Sequence, residues 1–385
     1  MNELIEELDG VLREIYRSND FIALHQPSFR GREVELVSEA ITTGWVSSAG
    51  SQVGQFERAI GSFLDSPFAV ATVNGTAALQ LMLTALQIGP GDEVLCPDLS
   101  FVATAAAIVH AGASPVFIDA EKERLGMCPE SLAEFLETHG SMRDGICYNA
   151  TTGKALRACL VMHNVGIPSR MKALEEICEQ YGIVLLEDAA EALGSSLDGR
   201  ACGTIGHAGV LSFNGNKVIT TGGGGMLLTG DEALAKHARH LSTTAKTPHP
   251  YAYQHDAIGF NFRMPSLNAA LGLGQIDTLV ETLELKRQQA KYLEERISGL
   301  DQIRFINPSS HAIKYNHWFN VIELIGVDQE EFIQGLSARK IMARPVWSSI
   351  SEMSPYSNQP SSEVTMSRKL ANTVVCLPNG VADRD

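Results

Sequence analysis

Short apolar runs alternate with stretches of helical periodicity from residue 68 onward. Strands are predicted at 68–73, 93–96 and 115–118, helices at 76–86 and 101–111, and further buried strands at 160–162, 183–186, 209–213 and 225–228. This alternation is typical of a mostly parallel sheet that has helices on both faces and right-handed crossovers. The pattern therefore predicts an α/β fold whose ligands bind at the carboxyl ends of the strands.

The amino-terminal residues have a different pattern. Apolar side chains recur at helical spacing, at Ile5, Leu8, Leu12 and Ile15. This spacing predicts an amphipathic first helix, whose apolar face docks elsewhere on the protein or on another subunit. Further along, residues 140–157 show no clear period and contain several Gly, Asn and Thr residues, so an exposed, irregular excursion is predicted there.

The last third of the chain predicts a second, smaller unit. A long helical pattern covers 267–300, and it is followed by strands at 303–306, 318–324 and 343–347 and a helix at 328–339. These elements predict a small α+β domain. We therefore predict a large domain over residues 1–260, which includes the first helix, and a small domain over residues 261–385.

A lysine and an aspartate follow two of the predicted buried strands. Asp188 comes just after the run at 183–186, and Lys217 comes just after the run at 209–213. A lysine amine can form a Schiff base with the aldehyde of pyridoxal phosphate, and a carboxylate can keep the pyridine nitrogen of that cofactor protonated. The pair indicates such a site, with both residues catalytic. The alternative is a solvated lysine and a helix-capping aspartate.

A phosphate site is predicted where the first buried strand meets its helix. The run Val73-Asn-Gly-Thr-Ala-Ala-Leu79 places small and hydroxyl residues directly after the strand. Backbone N–H groups at a helix start bind phosphate well, which makes Gly75 and Thr76 the leading candidates. The alternative is an ordinary turn with a threonine cap.

Seven motifs, spread over most of the chain, carry a family resemblance. They are Gly44-Trp-Val-Ser-Ser48, Val73-Asn-Gly-Thr-Ala-Ala-Leu79, Pro97-Asp-Leu-Ser-Phe101, His163-Asn-Val-Gly166, Glu187-Asp-Ala-Ala-Glu-Ala-Leu-Gly194, Ser212-Phe-Asn-Gly-Asn-Lys217 and Gly259-Phe-Asn-Phe-Arg-Met264. In their order and spacing the chain resembles the DegT-type sugar-nucleotide aminotransferases, which are fold type I pyridoxal-phosphate enzymes. Within that family it is most similar to the LegC-type enzymes, which aminate a UDP-linked 4-keto-6-deoxy-N-acetylhexosamine.

The resemblance assigns three further residues to the cofactor. It implies that Ser212 is a second phosphate contact, that Phe101 lies against the pyridine ring, and that His163 lies near the phenolic oxygen. Each has an alternative interpretation from the residues alone: a buried strand serine, a core phenylalanine and a structural histidine.

The resemblance also implies contacts with a second subunit and with the substrate. Either Asn261 or Arg263 reaches the phosphate of the neighbouring subunit's cofactor, which implies a homodimer with shared active sites. Glu191 is a candidate acceptor for a sugar hydroxyl, with an exposed helix-start glutamate as the alternative. Arg344 is a candidate near the substrate entrance, with a solvated arginine as the alternative.

Composition narrows the class of protein. The chain has 385 residues, a net charge of −15 and a pI near 5.2, so neither nucleic acid nor an anionic membrane is an expected partner. Its seven cysteines have no C-x-x-C spacing and are expected to be reduced core residues, with no metal site. The amino terminus does not resemble a signal peptide, so we expect a cytoplasmic protein.

These patterns and the resemblance together give a hypothesis about activity. The protein is expected to be an aminotransferase that uses pyridoxal 5'-phosphate, with pyridoxamine 5'-phosphate formed between the half-reactions. L-glutamate is the expected donor and a nucleotide-linked 4-keto-6-deoxy sugar the expected acceptor. The alternatives are a non-enzymatic pyridoxal-phosphate-binding regulator and another fold type I reaction on a sugar nucleotide or an amino acid.

Overall fold

The structure is a computed structural model that describes residues 1–382. Its α-helices are α1 (Asn2–Tyr16), α2 (Glu33–Thr42), α3 (Ser51–Leu64), α4 (Gly75–Ala85), α5 (Ala103–His110), α6 (Pro129–His139), α7 (Met171–Gln180), α8 (Glu232–Ser242), α9 (Ser266–Ile276), α10 (Leu279–Ile297), α11 (Gln329–Ala338) and α12 (Thr365–Thr373). Its strands are β1 (Phe68–Thr72), β2 (Asp92–Pro97), β3 (Ser114–Ile118), β4 (Gly140–Arg143), β5 (Ile146–Asn149), β6 (Ala155–Met162), β7 (Val184–Asp188), β8 (Ser196–Leu197), β9 (Arg200–Ala201), β10 (Ala208–Ser212), β11 (Gly225–Thr229), β12 (Ile303–Phe305), β13 (Ile313–Lys314), β14 (Asn320–Leu324), β15 (Arg344–Pro345) and β16 (Val374–Leu377).

The central sheet has the strand order β1-β11-β10-β7-β6-β2-β3. The five strands from β10 to β3 are parallel to one another, whereas β11 runs antiparallel to both of its neighbours. The prediction of a mostly parallel sheet within an α/β fold is confirmed. Since parallel strands share one carboxyl edge, β6, β7 and β10 all end at the same place, where a ligand site is expected.

Both faces of this sheet are covered, which explains why its strands are apolar throughout. Successive side chains of a strand point to opposite faces. Along β2, Val94 and Cys96 pack into a core cluster with α4, α5 and α8, while Leu95 packs on the other side with α6 and α7. The sheet is therefore the middle layer of a three-layer unit, with its ligand edge left open.

Two predicted elements were wrong in detail. Residues 140–157 are not irregular, because β4 and β5 form a hairpin whose turn, Asp144-Gly145, has positive φ at both residues (50° and 79°). An Asp-Gly pair is a known signal for this turn. The long helical pattern at 267–300 is two helices, which separate at Asp277 and Thr278 so that α9 packs on α2 and α3 while α10 packs on α1.

A second sheet follows in the carboxyl-terminal part of the described chain. Its order is β12-β14-β16-β15, with antiparallel pairing throughout. The amphipathic first helix is confirmed, and its buried Leu4, Leu8 and Leu12 pack in one cluster with residues of α10, α11 and this second sheet. The domain boundary at residue 260 stays a prediction. On this packing we propose that α1 be counted with the small domain rather than the large one.

No helix within residues 1–382 combines the length and the apolar character that crossing a membrane requires.

Candidate active site

Lys217 lies in the turn that connects β10 to β11, at the ligand edge of the central sheet. Its side chain is 13% exposed, and its Nζ is 3.3 Å from Glu191 Oε1. The same Nζ lies 3.8 Å from the ring centroid of Trp318, whose Nε1 donates a hydrogen bond to the carbonyl oxygen of Asn216 at 2.6 Å. The lysine is therefore not a solvated surface residue, because a carboxylate and an aromatic face hold its amine in place.

Asp188 is the last residue of β7, and it lies in register with Met162 of β6 and Val210 of β10. Its carboxylate is buried and accepts hydrogen bonds from Thr104 Oγ1 (2.7 Å) and from the Ala190 backbone N–H (3.2 Å). Burial raises the pKa of Asp188, and the bond from Thr104 opposes this rise. Among the residues that the structure describes, no cation forms a salt bridge with it, so a protonated ring nitrogen would supply the missing charge.

The start of α4 forms a cradle suited to a phosphate group. Asn74 caps the helix, because its side chain accepts a hydrogen bond from the Ala77 N–H at 2.7 Å. The N–H groups of Gly75 and Thr76 precede that bond and have no helical partner. A Cβ at Gly75 would lie 3.1 Å from Ser212 Cβ, so glycine keeps the space between the helix start and the serine open. Gly75, Thr76 and Ser212 are therefore brought together as predicted.

Phe101 lies just before α5, two residues from the first residue of that helix. It exposes 46% of its surface although residues 93–100, which precede it, are buried. Its ring centroid is 5.2 Å from that of Trp347, so a flat aromatic wall faces the ligand edge. Such a wall suits a planar cofactor ring. The interpretation of Phe101 as a simple core residue does not fit this exposure.

His163 follows β6 but does not offer a free ring nitrogen to a ligand. Its Nδ1 accepts a hydrogen bond from the Ser169 backbone N–H (3.1 Å), and its Nε2 lies 2.8 Å from Glu187 Oε2. The imidazole is fully buried. Because Nδ1 is the acceptor, the ring proton is on Nε2 and is donated to Glu187. This geometry supports the structural interpretation of His163 and not a hydrogen bond to the cofactor's phenolic oxygen.

Glu191 is buried in the turn that follows β7, so the alternative of an exposed helix-start glutamate does not apply. Its Oε1 faces Lys217, and its Oε2 accepts a hydrogen bond from the Val165 N–H at 2.8 Å. Burial raises the pKa of Glu191, while the positive charge of Lys217 lowers it.

Arg263 and Asn261, the two candidates of the Gly259–Met264 motif for the phosphate contact, differ in their surroundings. Arg263 Nη1 donates to Glu57 Oε1 at 2.9 Å, and Arg239 binds the same carboxylate, so Arg263 is held inside its own subunit. Asn261 is exposed, and no side-chain hydrogen bond of Asn261 is formed within the described residues. Arg344 lies on β15 with an exposed side chain, in register with Cys376 of β16.

Three residues of the site were missed by sequence reasoning: Thr104, Trp318 and Trp347. Thr104 is the second residue of α5, three positions after Phe101, so its place on one helical turn with that residue was a usable signal. Trp318 lies in the segment before β14 and Trp347 in the segment after β15. Nothing in their local sequence predicted that they would meet the ligand edge of the first sheet.

The residues present fit pyridoxal phosphate. An open phosphate cradle, an aromatic wall, a buried carboxylate and a nearly buried lysine lie around one edge of a parallel sheet. Together they define a fold type I pyridoxal-phosphate enzyme. A regulator without activity would not need the lysine amine positioned in this way.

Comparison with known proteins agrees with this class. Residues 27–382 match the model of the DegT/DnrJ/EryC1/StrS aminotransferase family, and the chain belongs to that family. EpsN of Bacillus subtilis (strain 168), whose name describes a pyridoxal phosphate-dependent aminotransferase, is 35% identical over 93% of this chain and 91% of its own length. A GDP-perosamine synthase of Escherichia coli O157:H7 is 32% identical over 88% of both chains. The crystal structure of the aminotransferase TlmJ from Streptoalloteichus hindustanus superimposes with a TM-score of 0.85 over 94% of both chains, at 28% identity.

The protein is thus a pyridoxal-phosphate-dependent sugar aminotransferase, as the sequence predicted. The fold type and the cofactor are confirmed by the same comparisons. The roles of the individual site residues stay predictions.

Proposed function

We propose that the enzyme transfers an amino group from L-glutamate to the C4 ketone of a nucleotide-linked 4-keto-6-deoxy sugar. The acceptor we favour is UDP-2-acetamido-2,6-dideoxy-4-keto-hexose, and the product is a 4-amino sugar for surface glycan biosynthesis. The observation that carries the proposal is the buried amine of Lys217 at the sheet edge where Asp188 ends β7. The name of the GDP-perosamine synthase supports a nucleotide-linked sugar. The UDP-linked sugar rests on the motif resemblance to the LegC-type enzymes.

Different residues of the chain have different roles in the proposed reaction. Bound pyridoxal phosphate supplies an aldehyde that joins amines and a ring that accepts electrons from a neighbouring carbon. Lys217 Nζ would hold the cofactor and, as a free amine, would be the base that removes the proton from Cα of the donor. In the second half-reaction the same Nζ delivers a proton on the sugar side. Asp188 keeps the ring nitrogen protonated, and Thr104 orients that carboxylate through its 2.7 Å bond.

Binding of the cofactor is assigned to the groups around the sheet edge. The free N–H groups of Gly75 and Thr76 and the hydroxyl of Ser212 hold the phosphate, where the positive end of the α4 dipole also favours a dianion. Phe101 covers one face of the ring.

We also propose a homodimer with shared active sites, which the exposed position of Asn261 supports. We assign to it, rather than to Arg263, the contact with the phosphate in the neighbouring subunit, because Arg263 is already bound to Glu57. Exposed apolar side chains on α2 and on the 243–258 segment support a subunit interface near this motif. They are Val34 (80%), Ile41 (61%), Tyr251 (88%), Tyr253 (84%) and Ile258 (93%).

The remaining assignments concern the substrate and the compartment. We propose that the exposed guanidinium of Arg344 attracts the diphosphate of the sugar nucleotide, which the net charge of −15 would otherwise repel. All seven cysteines are free thiols, which supports a reducing, cytoplasmic location.

A direct test measures the amine product. The purified enzyme is incubated with L-glutamate and, separately, with UDP-, GDP- and dTDP-linked 4-keto-6-deoxy sugars, and the products are identified by mass spectrometry. We expect the UDP-linked N-acetyl sugar to be aminated fastest. Lys217→Ala should abolish turnover, whereas Lys236→Ala, which changes an exposed lysine of α8, should not. Full transamination by Lys217→Ala would refute the proposed role of Lys217, and preference for another nucleotide would refute the proposed substrate.

A further inference from the structure

Glu191 makes two contacts that a residue for sugar binding would not need. Its Oε1 is 3.3 Å from Lys217 Nζ, and its Oε2 is fixed by the Val165 N–H at 2.8 Å. The residue is 3% exposed. A buried carboxylate requires a cation or several hydrogen-bond donors to remain ionised. Lys217 is the cation that this arrangement provides.

The backbone around Glu191 is strained in a way that preserves this arrangement. Val165 has φ 51° and ψ 20°, a left-handed conformation that is rare for a β-branched residue. Such strain persists where the surrounding structure enforces it, and it concentrates at functional sites. Here it directs the Val165 N–H at Glu191 Oε2. At the next residue, a Cβ on Gly166 would lie 2.7 Å from the backbone oxygen of Glu191, so the two segments approach closely.

The amine of Lys217 has two neighbours of complementary kinds. On one side is the carboxylate of Glu191, and on the other is the ring face of Trp318, 3.8 Å from Nζ to the centroid. Both favour a positive charge on the nitrogen between them. Asp188 is oriented separately by Thr104, and it is not paired with Lys217.

We propose that Glu191 is the counter-ion of the Lys217 nitrogen while that nitrogen is joined to the cofactor, and that it keeps a proton on the nitrogen in this linked state. The step is a proton held between Oε1 and Nζ, with no change in oxidation state. A protonated link is more easily attacked by the incoming donor amine. The proposal deepens the proposed function and rests on the assignment of Lys217 as the lysine that binds the cofactor. Each carboxylate is then the counter-ion of one nitrogen: Asp188 pairs with the ring nitrogen of the cofactor, and Glu191 pairs with the lysine nitrogen.

Several other titratable groups face this pair from neighbouring elements. They are Asp188 at the end of β7, His25 in the segment between α1 and α2, Tyr315 after β13 and Cys376 on β16. Burial raises the pKa values of Tyr315 and Cys376 and lowers the pKa of His25, so these three remain neutral at physiological pH. Asp188 carries the other negative charge near Lys217. Because its charge also changes with pH, a Glu191 variant must be compared with the wild type at several pH values.

The test uses the holoprotein without substrates and measures its visible absorbance band against pH. In Glu191→Gln the side chain keeps its shape and can still accept the bond from Val165, but it has no charge. We expect the midpoint of the band's titration to fall by at least about one pH unit, a tenfold change in the ratio of protonated to unprotonated link. Glu179→Gln, on the exposed face of α7, removes the same charge and should leave the midpoint unchanged.

Two outcomes separate this inference from the proposed function. If the absorbance band is lost in Lys217→Ala, but in Glu191→Gln it titrates with the same midpoint as in the wild type, the counter-ion role alone is overturned. The absence of any Lys217-dependent band overturns the assignment of the lysine as well. If Glu191→Gln does not fold, Glu191→Asp provides the second measurement, since its shorter arm moves the carboxylate away from Nζ. A downward shift smaller than that expected for Glu191→Gln supports the role, and no shift contradicts it.

Discussion

The hydrogen bond from Thr104 to Asp188 provides a sensitive test of how the site controls its buried carboxylate. Thr104→Val removes one hydroxyl and changes the side-chain volume little, at a position with 0% exposure. The lost bond measures 2.7 Å and ends on a carboxylate. Hydrogen bonds to charged groups contribute about 1.5–3 kcal/mol. Without this bond the pKa of Asp188, which burial already raises, rises further. A protonated Asp188 would no longer favour a positive ring nitrogen.

The expected consequence is a slower chemical step, accompanied by a loss of folding stability no larger than a hydrogen bond of this kind contributes. If the full contribution of the bond is lost in the transition state, the rate of the glutamate half-reaction falls roughly 10- to 150-fold. The assay is single-turnover stopped-flow absorbance at saturating glutamate, together with thermal unfolding of the same sample. The loss should be largest at pH values between the Asp188 pKa of the wild type and the higher pKa of the variant, and it should shrink at higher pH, where both carboxylates are ionised.

A matched control is available on α4. Thr84 donates its hydroxyl to the Gln80 carbonyl oxygen at 2.9 Å, within a single helix and outside the site. Thr84→Val should leave the half-reaction unchanged. A Thr104→Val rate within twofold of the wild type would refute the idea that this bond maintains the charge of Asp188. A loss of thermal stability well beyond the contribution of this hydrogen bond would indicate a packing defect instead.

Two further predictions concern charge and subunit contact. In the cofactor-free protein at pH values above 7, Asp188→Asn should have a higher free energy of unfolding than the wild type. Burial raises the pKa of Asp188 in the folded state, so the ionised carboxylate costs stability as the pH rises through that value. Chemical denaturation at a series of pH values would show that the gain disappears in acid. Asn261→Ala should weaken cofactor binding, measured by dialysis and the visible band. Equal retention in Asn261→Ala and wild type would argue against a contact across the dimer.

The order of elements and the placement of Lys217 and Asp188 at one edge of the sheet could be predicted from the sequence because both depend on local patterns. Buried parallel strands are continuous apolar runs, and their carboxyl ends share one edge whatever the strand order. Lys217 and Asp188 could therefore be brought together without knowing the topology. The strand order itself, with β11 antiparallel between β1 and β10, has no signal in any single run. The break between α9 and α10 was missed because apolar spacing continues across it while the packing partners change.

Contacts made by long-range packing could not be predicted. Trp318 reaches Lys217 from the segment just before β14, more than a hundred positions along the chain, and no local pattern distinguishes it from a core tryptophan. His163 carried a family motif, yet its two ring nitrogens are bonded to Ser169 and Glu187. Only coordinates can show whether a buried histidine is already satisfied by protein groups.

The three carboxylates of the run from Glu187 to Glu191 illustrate this limit. Glu187 and Asp188 are consecutive in β7 and so point to opposite faces of the sheet. Glu187 accepts hydrogen bonds from backbone N–H groups of Gly203, Ile205 and Gly206 as well as facing His163. It is thus a structural residue.

Asp188 points to the ligand edge from the end of the strand, and Glu191 returns to that edge only because the following turn is closed against the strained Val165. Spacing alone would give all three carboxylates similar prospects of a catalytic role. Because side chains alternate between the two faces of a strand, Glu187 and Asp188 point in opposite directions. Glu191 lies beside Lys217 because of the left-handed backbone conformation of Val165, which its residue type does not predict. The chemistry of the site therefore depends on the end of β7 and on the turn after it. A substitution that lets Val165 leave its left-handed conformation should shift the position of Lys217, because Glu191 contacts both residues.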